Sequence, residues 1–334
     1  MTVPRPRAPW LIRPAKLPAT TPPPLDGAWA PADARIDAAE LIAIPGGHPP
    51  EDVAVDGAGA VYCGTEDGRL WRYTGEFAEL ADTGGRPLGI EADPRDGTLI
   101  VCDAYRGLLR VTPDGAITDL TRTAAGTPIM MCNNAAIAGD GVVYFSDSSS
   151  RFPVSHWRRD LLEHQPNGRV LAYDPASGET SVVANGMYFP NGVALTPDES
   201  ALLVCETVAH RLSRIDLSSG EVTHLGDLPA YPDNMSAVGD GTFWIALASL
   251  RVPIAERLLP HPNVRRIAAV LPQRLQPQPL PHTIVARVDA AGAVLETLHG
   301  PTGHYPMLTG VRQAGDTLWL ASLTEPALAR VALD

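Results

Sequence analysis

The chain has few cysteines, few aromatic residues and no excess of basic residues. Its 26 Lys and Arg residues against 38 Asp and Glu residues give a net charge of −12, and no basic stripe interrupts the acidic balance. This argues against nucleic-acid phosphates as a partner, and solubility alone explains the negative charge. Aromatic residues make up 6%, whereas 30 Gly and 33 Pro are present, a mixture typical of many short strands joined by turns.

The four cysteines form no Cys-x-x-Cys pair, and three of them lie in strand-like apolar runs. We therefore expect small buried hydrophobic residues rather than disulfides or a zinc site. They are Cys63, Cys102, Cys132 and Cys205. The N-terminal stretch lacks the apolar core of a signal peptide, and no segment approaches about 18 uninterrupted apolar residues. These absences lead us to expect a cytoplasmic protein without a membrane-spanning helix.

Six segments of the chain share one pattern, in which a pair of residues opens an alternating strand that is followed by an Asp/Gly turn and further strands. Such a unit of about 40 residues with four antiparallel strands is a propeller blade, so the sequence predicts an all-β, six-bladed β-propeller. The last unit has three strands, and the segment DAAELIAIP before the first unit can supply the fourth and close the ring. The units begin at Glu51, Leu88, Asn133, Asn191, Asp233 and Leu308.

Residues 1–35 are interpreted as an N-terminal extension and residues 36–334 as the propeller, which carries insertions at about 151–166 and 251–281. The second insertion, in blade five, contains two stretches that favour short helices, IAERLL and NVRRIAAVL, each broken by nearby prolines. Long loops in compact domains are often functional, so this insertion is either a lid over the channel or a membrane-contacting patch. An ordinary surface loop is the alternative.

The first position of the repeat carries an oxygen-bearing side chain in four of the six units. In a propeller, equivalent positions lie at equal height around the axis, so these side chains are expected to face one point in the channel. Two carboxylates and two amides make an all-oxygen set that suits calcium, with magnesium or manganese less suitable and zinc or copper poor candidates. The alternative is that each dipeptide is only a turn signal. The four residues are Glu51, Asn133, Asn191 and Asp233.

Other polar residues recur one strand later in the units. Asp103 and Glu206 are interpreted as residues that cap turns or pair with arginines, whereas Asp147 is equally compatible with a structural role and with the site. Most histidines give no signal. His210, His282 and His299 are interpreted as surface or strand-end residues, while His156, His164 and His304 remain weak candidates for the channel mouth.

Four motifs resemble the strictosidine-synthase-like proteins, over a stretch from about Glu51 to the C-terminus. They are RPLGIEADPRDGTLIVCDAYRGLLRV, CNNAAIAGDGVVYFSDSSS, FPNGVALTPD and YPDNMSAVGDGTFWIALAS. The wider superfamily includes the senescence-marker/gluconolactonases, the paraoxonases and the diisopropyl-fluorophosphatases. This resemblance implies a six-bladed propeller that, as in most members, holds a central calcium. It also implies that Glu51, Asn133, Asn191 and Asp233 are the metal ligands, with Asn234 an additional contact.

The chain departs from its relatives at three positions that bear on chemistry. The start of blade six reads Leu308-Thr309, with no counterpart of the catalytic glutamate of the plant alkaloid synthase, which disfavours a Pictet–Spengler condensation. Leu88 stands where paraoxonases have a histidine, and Met131 where gluconolactonases have an arginine. Both departures favour an apolar substrate over a sugar acid.

These observations lead to a first functional hypothesis, a calcium-dependent hydrolase of lactones or other esters that acts on a small molecule. Glu51 and Asp233 are the predicted catalytic residues, and the resemblance implies that Asp233 also serves as base or nucleophile. The alternatives are a non-hydrolytic enzyme of a biosynthetic pathway, which condenses or isomerises its substrate, and a binding propeller with a structural metal. The predicted substrate-contacting residues are Asn133, Asn134, Leu88, Met131, Asp147 and His304.

Overall fold

The computed structural model describes residues 8–9 and 11–333, so part of the predicted N-terminal extension and the final residue lie outside the described residues. Six four-stranded antiparallel sheets follow one another along the chain. Their innermost strands contact each other in sequence and the sixth contacts the first, which closes a ring. The predicted six-bladed β-propeller is therefore confirmed.

The strands are listed here by blade. A first strand, β1 (Glu40–Ala43), precedes blade one, which contains β2 (Pro50–Val55), β3 (Val61–Thr65), β4 (Arg69–Tyr73) and β5 (Phe77–Asp82). Blade two contains β6 (Pro87–Ala92), β7 (Leu99–Asp103), β8 (Gly107–Val111) and β9 (Ile117–Thr121), and a small hairpin of β10 (Thr123–Ala124) and β11 (Thr127–Pro128) follows it. Blade three contains β12 (Cys132–Ile137), β13 (Val143–Asp147), β14 (Gly168–Asp174) and β15 (Glu179–Met187). Blade four contains β16 (Pro190–Leu195), β17 (Ala201–Glu206), β18 (Arg211–Asp216) and β19 (Val222–Asp227). Blade five contains β20 (Ala230–Ala237), β21 (Thr242–Leu250), β22 (Thr283–Asp289) and β23 (Val294–Gly300). Blade six contains β24 (Leu308–Ala314), β25 (Thr317–Ser322) and β26 (Ala327–Ala332).

The sixth blade is completed by the strand from the N-terminal side of the chain. β1 pairs antiparallel with β26, from Glu40 opposite Arg330 to Ala43 opposite Ala327. The sheet order β1–β26–β25–β24 places this strand at the outer edge of blade six. The predicted closure of the ring by the segment that precedes the first unit is therefore confirmed.

The core lies between the sheets of neighbouring blades. One cluster, for example, combines Trp244 of blade five with Leu320 of blade six, both fully buried. The four cysteines are all buried and free, as expected for small core residues. No helix within residues 8–9 and 11–333 has the length and hydrophobicity that a bilayer crossing requires.

A β-bulge occurs at the first two repeat positions in blades one to five. In blade one, Pro50 pairs with Thr65 and Val53 with Cys63, so the two residues between them on β2 oppose a single residue on β3. The same register shift separates Pro87 from Ile90, Cys132 from Ala135, Pro190 from Val193 and Pro232 from Met235. A bulge re-aims the side chains of its unpaired residues. The oxygen-bearing side chains at the first two repeat positions therefore lie where the strands depart from regular pairing.

Close contact between neighbouring inner strands requires glycine at one of these bulges. A Cβ atom on Gly192 would lie 2.4 Å from the backbone nitrogen of Met235 and 2.7 Å from the carbonyl carbon of Asn234. Backbone atoms of a closed ring cannot move aside as a flexible side chain does. Gly192 therefore allows blades four and five to approach each other beside the channel.

We expect Gly192→Ala to destabilise the propeller by about 3 kcal/mol, because overpacking against backbone forces the two inner strands apart. Gly57→Ala is the matched control, since a Cβ at Gly57 meets nothing within 4 Å. Chemical denaturation of both variants measures the difference. Equal stability of the two variants would show that the inner strands tolerate a wider spacing.

The two insertions carry the three α-helices of the described residues. The first contains α1 (Trp157–Glu163), which the sequence did not predict, and the second contains α2 (Pro253–Leu258) and α3 (Pro262–Ala268), close to the predicted stretches. α1 packs against α3. We call the two insertions, residues 151–166 and 251–281, the cap.

Candidate metal and substrate site

The predicted ring residues of blades one, four and five contact each other through their side chains. Asn191 donates from Nδ2 to Oδ1 of Asp233 at 2.9 Å, and Asn234 donates from Nδ2 to Oε2 of Glu51 at 3.1 Å. Glu51, Asn191 and Asn234 are buried. The bulges therefore bring the polar side chains of three blades together in the channel.

Three amide oxygens of this ring have no hydrogen-bond partner among the described residues. They are Oδ1 of Asn133, Asn191 and Asn234, and all three atoms are buried. The Nδ2 group of Asn133 donates to Oγ of Ser148 at 2.9 Å, which fixes the orientation of its amide. Buried polar atoms in folded proteins are almost always satisfied, so three unpaired acceptors at equivalent repeat positions indicate a ligand that accepts electron pairs.

The charges of the ring point to the same conclusion. Burial raises the pKa of Asp233 to about 8, with Asn191 opposing the shift through its hydrogen bond and Asp52 adding to it. Burial, followed by repulsion from Asp233 and Asp52, raises the pKa of Glu51 well above its ordinary value. Arg86, itself buried, places a positive charge near Glu51 and offsets part of this. Two neighbouring carboxyl groups in a buried ring can both be ionised when a cation lies between them.

The donor set fits a hard divalent cation. Among the described residues, no three His, Cys, Asp or Glu side chains cluster as metal ligands, so zinc-type coordination has no basis there. The ring instead offers two carboxylates and the unpaired amide oxygens. Calcium accepts this mixture of carboxylate and amide oxygens and tolerates irregular geometry, whereas magnesium demands near-octahedral ligands.

Asn134, predicted to contact substrate, instead joins neighbouring blades. Its Nδ2 donates to Oδ2 of Asp52 at 3.1 Å, and its Oδ1 accepts from the backbone nitrogen of Val193 at 3.0 Å. Asp52 also accepts from the backbone nitrogen of Ile90 at 3.2 Å. Both ends of the Asn134 amide are therefore used within the protein, and its predicted role is corrected to a structural one.

A pocket that is partly open to solvent lies beside the ring and has Asp233 in its wall. The propeller contributes Val208, Ala248 and Met307 to it, and the cap contributes most of the remainder. Its lining is chiefly apolar. Both insertions thus occupy the position that a lid would take. The apolar cap residues of the wall are Trp157, Leu161, Leu162, Val252, Ala255, Leu259, Pro277 and Pro279.

Leu88 and Met131 lie behind the pocket wall rather than in it. Both are buried in a cluster with Phe189 and Val208, and Trp157 packs against that cluster. Of these residues, Val208 and Trp157 reach the pocket. The prediction that Leu88 and Met131 contact substrate is corrected by this burial, although they do make one side of the site apolar.

Asp147 and His304 also lie away from the pocket lining. Asp147 accepts from the backbone nitrogens of Met130 and Met131 at 3.1 and 2.8 Å, and pairs with Nε of Arg169 at 2.9 Å. The exposed His304 lies 3.1 Å, through Nε2, from the carbonyl oxygen of Ala39. The structure therefore gives Asp147 a structural role and places His304 at the edge of blade six, which corrects both predicted substrate contacts.

Asp103 and Glu206 have the structural roles that the sequence indicated. Asp103 accepts from the backbone nitrogens of Tyr105 and Arg106 at 2.9 and 3.0 Å, which caps the turn after β7. Glu206 pairs with Nε of Arg211 at 2.7 Å. Both buried carboxylates therefore have partners inside their own blades.

Sequence reasoning missed Glu256 of the pocket wall, interpreted His210 as a surface or strand-end residue, and gave His164 only as a weak candidate for the channel mouth. His210 directly precedes β18, as a strand-end residue, but it is buried and lines the pocket. His164 and Glu256 of the cap line the same pocket. His164 and His210 have φ values of 49° and 54°, which are uncommon for residues other than glycine, and no sequence pattern specifies them.

Comparison with known proteins gives matches in family, sequence and fold. The family described as strictosidine synthase matches residues 133–219, and the family described as strictosidine synthase-like, N-terminal, matches residues 27–73. Strictosidine synthase-like protein 6 of Arabidopsis thaliana is 34% identical over 308 residues, which cover 88% of this chain and 82% of the relative. The adipocyte plasma membrane-associated protein of Mus musculus is 31% identical over 305 residues, which cover 82% and 73% of the two chains.

Among solved structures, a gluconolactonase from Xanthomonas campestris matches with a TM-score of 0.65 over 97% of this chain and 98% of that chain, at 19% identity. A match at this identity shows the shared propeller fold. The sequence relatives, together with the two family matches, show more than the fold: the chain belongs to the strictosidine synthase-like family.

Proposed function

We propose that this protein is a calcium-dependent hydrolase of lactones or other carboxylic esters whose substrates have an apolar body. The observation that carries the proposal is the position of Asp233. This carboxylate belongs to the oxygen ring of the channel and also lines the apolar pocket under the cap. A substrate in that pocket would place its carbonyl group beside the ring.

Glu51, Asn133, Asn191 and Asp233 would hold the cation, with Asn234 as a further contact. A bound divalent cation supplies Lewis-acid chemistry, which polarises a carbonyl and stabilises negative charge on its oxygen. Among the residues of this chain, Asn191 orients Asp233 and Asn234 orients Glu51 through the hydrogen bonds given above. These contacts fix both predicted catalytic carboxylates before a substrate arrives, and fixed groups need no reorganisation during reaction.

The pocket walls favour an apolar ester over a polar sugar acid. Leu161 and Leu162 of the cap and Val208 of the propeller would pack on an alkyl or aryl group and exclude water from it. Burying such a group contributes about 0.8 kcal/mol for each methylene. Substrate preference should therefore rise with chain length until the pocket is filled.

A condensation enzyme is the second candidate, and the start of blade six argues against it. Leu308 is buried in the core, and Thr309 donates from Oγ1 to the backbone oxygen of Glu51 at 2.6 Å. Neither side chain can donate or accept a proton as a carboxyl group does. This part of the channel lacks the acid–base residue that the alternative needs.

A panel of γ- and δ-lactones and p-nitrophenyl esters of increasing chain length tests the proposal, with gluconolactone as the polar comparison. Metal-free protein should be inactive, added calcium should restore turnover, and eight-carbon substrates should be preferred to four-carbon ones. Turnover that persists in excess chelator would remove calcium from the proposal. If calorimetry shows calcium binding but no substrate is turned over, the result would instead support a binding propeller with a structural metal.

A further inference from the structure

His210 is a buried histidine in the wall of the substrate pocket with an unpaired ring nitrogen. It follows β17 in blade four, and its exposed fraction is 6%. Its Nε2 atom has no hydrogen-bond partner among the described residues. Oε1 of Glu256 lies 3.7 Å from this Nε2 atom. Because Glu256 lies on α2, this pair joins the propeller to the cap.

The carboxylate of Glu256 is fixed in place by an arginine and a threonine. Arg251 donates from Nε to Oε1 at 3.0 Å and from Nη2 to Oε2 at 2.9 Å, and Thr20 of the N-terminal extension donates to Oε2. Arg251 and Glu256 are both buried, with side-chain exposures of 3% and 5%. A bidentate arginine holds a carboxylate in one orientation. Oε1 is therefore held toward the imidazole.

The surroundings of His210 favour a neutral ring with one defined tautomer. Burial, followed by the nearby charges of Arg251 and His164, lowers the pKa of His210 well below its ordinary value. Tyr231 packs edge-on against the ring at 4.7 Å between centroids. Because Nε2 faces a carboxylate, the ring proton belongs on Nε2, which leaves the lone pair on Nδ1. A neutral imidazole beside a substrate pocket is a proton acceptor at neutral pH.

We propose that His210 is the proton-transfer residue of this pocket and that Glu256 is its positioning residue, an inference that rests on the proposed hydrolysis. Nδ1 of His210 takes a proton from the water whose oxygen bonds to the substrate carbonyl carbon. When the bond between that carbon and the leaving oxygen breaks, the same proton passes to the leaving oxygen. The products are a carboxylic acid and an alcohol, so one water is consumed and no oxidant is needed. Glu256 stabilises the transient imidazolium.

The test compares His210→Ala with His224→Ala, a matched control whose half-exposed side chain lies on β19 of the same blade. We expect His210→Ala to lower kcat by about 10²–10³-fold with KM changed only a few-fold, and added imidazole to restore part of kcat. Calcium affinity and Tm should stay as in the wild type, and His224→Ala should keep full activity. A purely structural role for His210 would not respond to imidazole.

Glu256→Gln tests the positioning role. The charged or titratable groups around His210 are Arg251, Glu256, His164 and Tyr231. Loss of the carboxylate destabilises the imidazolium, so the acid limb of the kcat profile should move to lower pH and kcat should fall about tenfold. If this variant is unstable because Arg251 loses its partner, the histidine ¹⁵N spectrum of the wild type gives the same information, with a neutral, Nε2-protonated His210 expected at pH 7.

Three results would overturn the inference. They are near-normal kcat in His210→Ala, loss of kcat without imidazole rescue in a folded calcium-binding variant, and an Nδ1-protonated or charged His210 at pH 7. In these cases the wild type still hydrolyses esters, so the proposed function stands. A wild type that hydrolyses no substrate of the panel would refute the proposed function itself, and the assignment of His210 with it.

Discussion

Replacing Asp233 by asparagine is expected to lower calcium-dependent hydrolysis severely while the propeller still folds. The substitution removes one of the two carboxylates of the ring but keeps an oxygen that can accept from Asn191. Loss of one electrostatic stabiliser of this kind lowers activity by about 10²–10³-fold. In the metal-free protein the variant should be at least as stable as the wild type, because a second buried charge beside Glu51 is gone.

Two measurements test this prediction: thermal unfolding with and without calcium, and the ester assay. The wild type should gain Tm as calcium is added, since a ligand that binds only the folded state stabilises it, whereas Asp233→Asn should gain little. Glu51→Gln should behave in the same way. Asp227→Asn is the control, since Asp227 is exposed at the end of β19. An Asp233→Asn protein with wild-type activity and calcium response would refute the proposed ligand set.

Replacing Arg265 by alanine is expected to loosen the cap from the propeller mouth. This buried arginine of α3 donates from Nη1 to the backbone oxygens of Leu162 and Glu163, at 3.3 and 3.4 Å, and from Nη2 to the backbone oxygen of Ala15. One side chain thus joins both insertions and the N-terminal extension. Its removal takes this donor from all three carbonyl oxygens, at a cost of about 1–3 kcal/mol for one that is buried and left unpaired.

Arg266→Ala is the matched control, because Arg266 is exposed and its guanidinium donates to Oδ1 of Asn263 on the same helix. Limited proteolysis should cut the cap of Arg265→Ala much faster than that of the control, with the blades resistant in both. KM for long-chain esters should rise at least tenfold in Arg265→Ala, because the cap forms most of the apolar wall. Equal cleavage and equal KM in the two variants would show that the cap is held by other contacts.

The repeat made the propeller and its oxygen ring predictable from the sequence. The first and second positions of each unit recur with the Asp/Gly turns. In a propeller, residues at equivalent repeat positions lie at equal height around one axis. Glu51 and Asp233 are 182 positions apart in the sequence. Their shared repeat position was enough to predict that both belong to one ring. The predicted fourth strand of blade six followed from the same count of strands.

The pocket could not be predicted because non-repeating segments build it. Arg265 and Ala15 are separated by 250 positions and belong to no repeat, so only tertiary packing decides that they meet. The position of His210 depends on a left-handed turn, which sequence patterns do not specify for histidine. Met131 and Leu88 were expected to contact substrate because they stand where relatives have polar residues, but both are buried in a cluster against which Trp157 of the cap packs.

Closure of the ring by β1 has a consequence for synthesis on the ribosome. Glu40 of β1 and Arg330 of β26 pair across 290 positions, so the first strand to emerge is among the last to find its partner. Blades one to five can pair their own strands as they are made, whereas blade six and the contact between β24 and β2 must wait until β24, β25 and β26 have been synthesised. Until then the nascent chain exposes the unpaired edge of β1 and one face of blade one, the surfaces on which a chaperone would act.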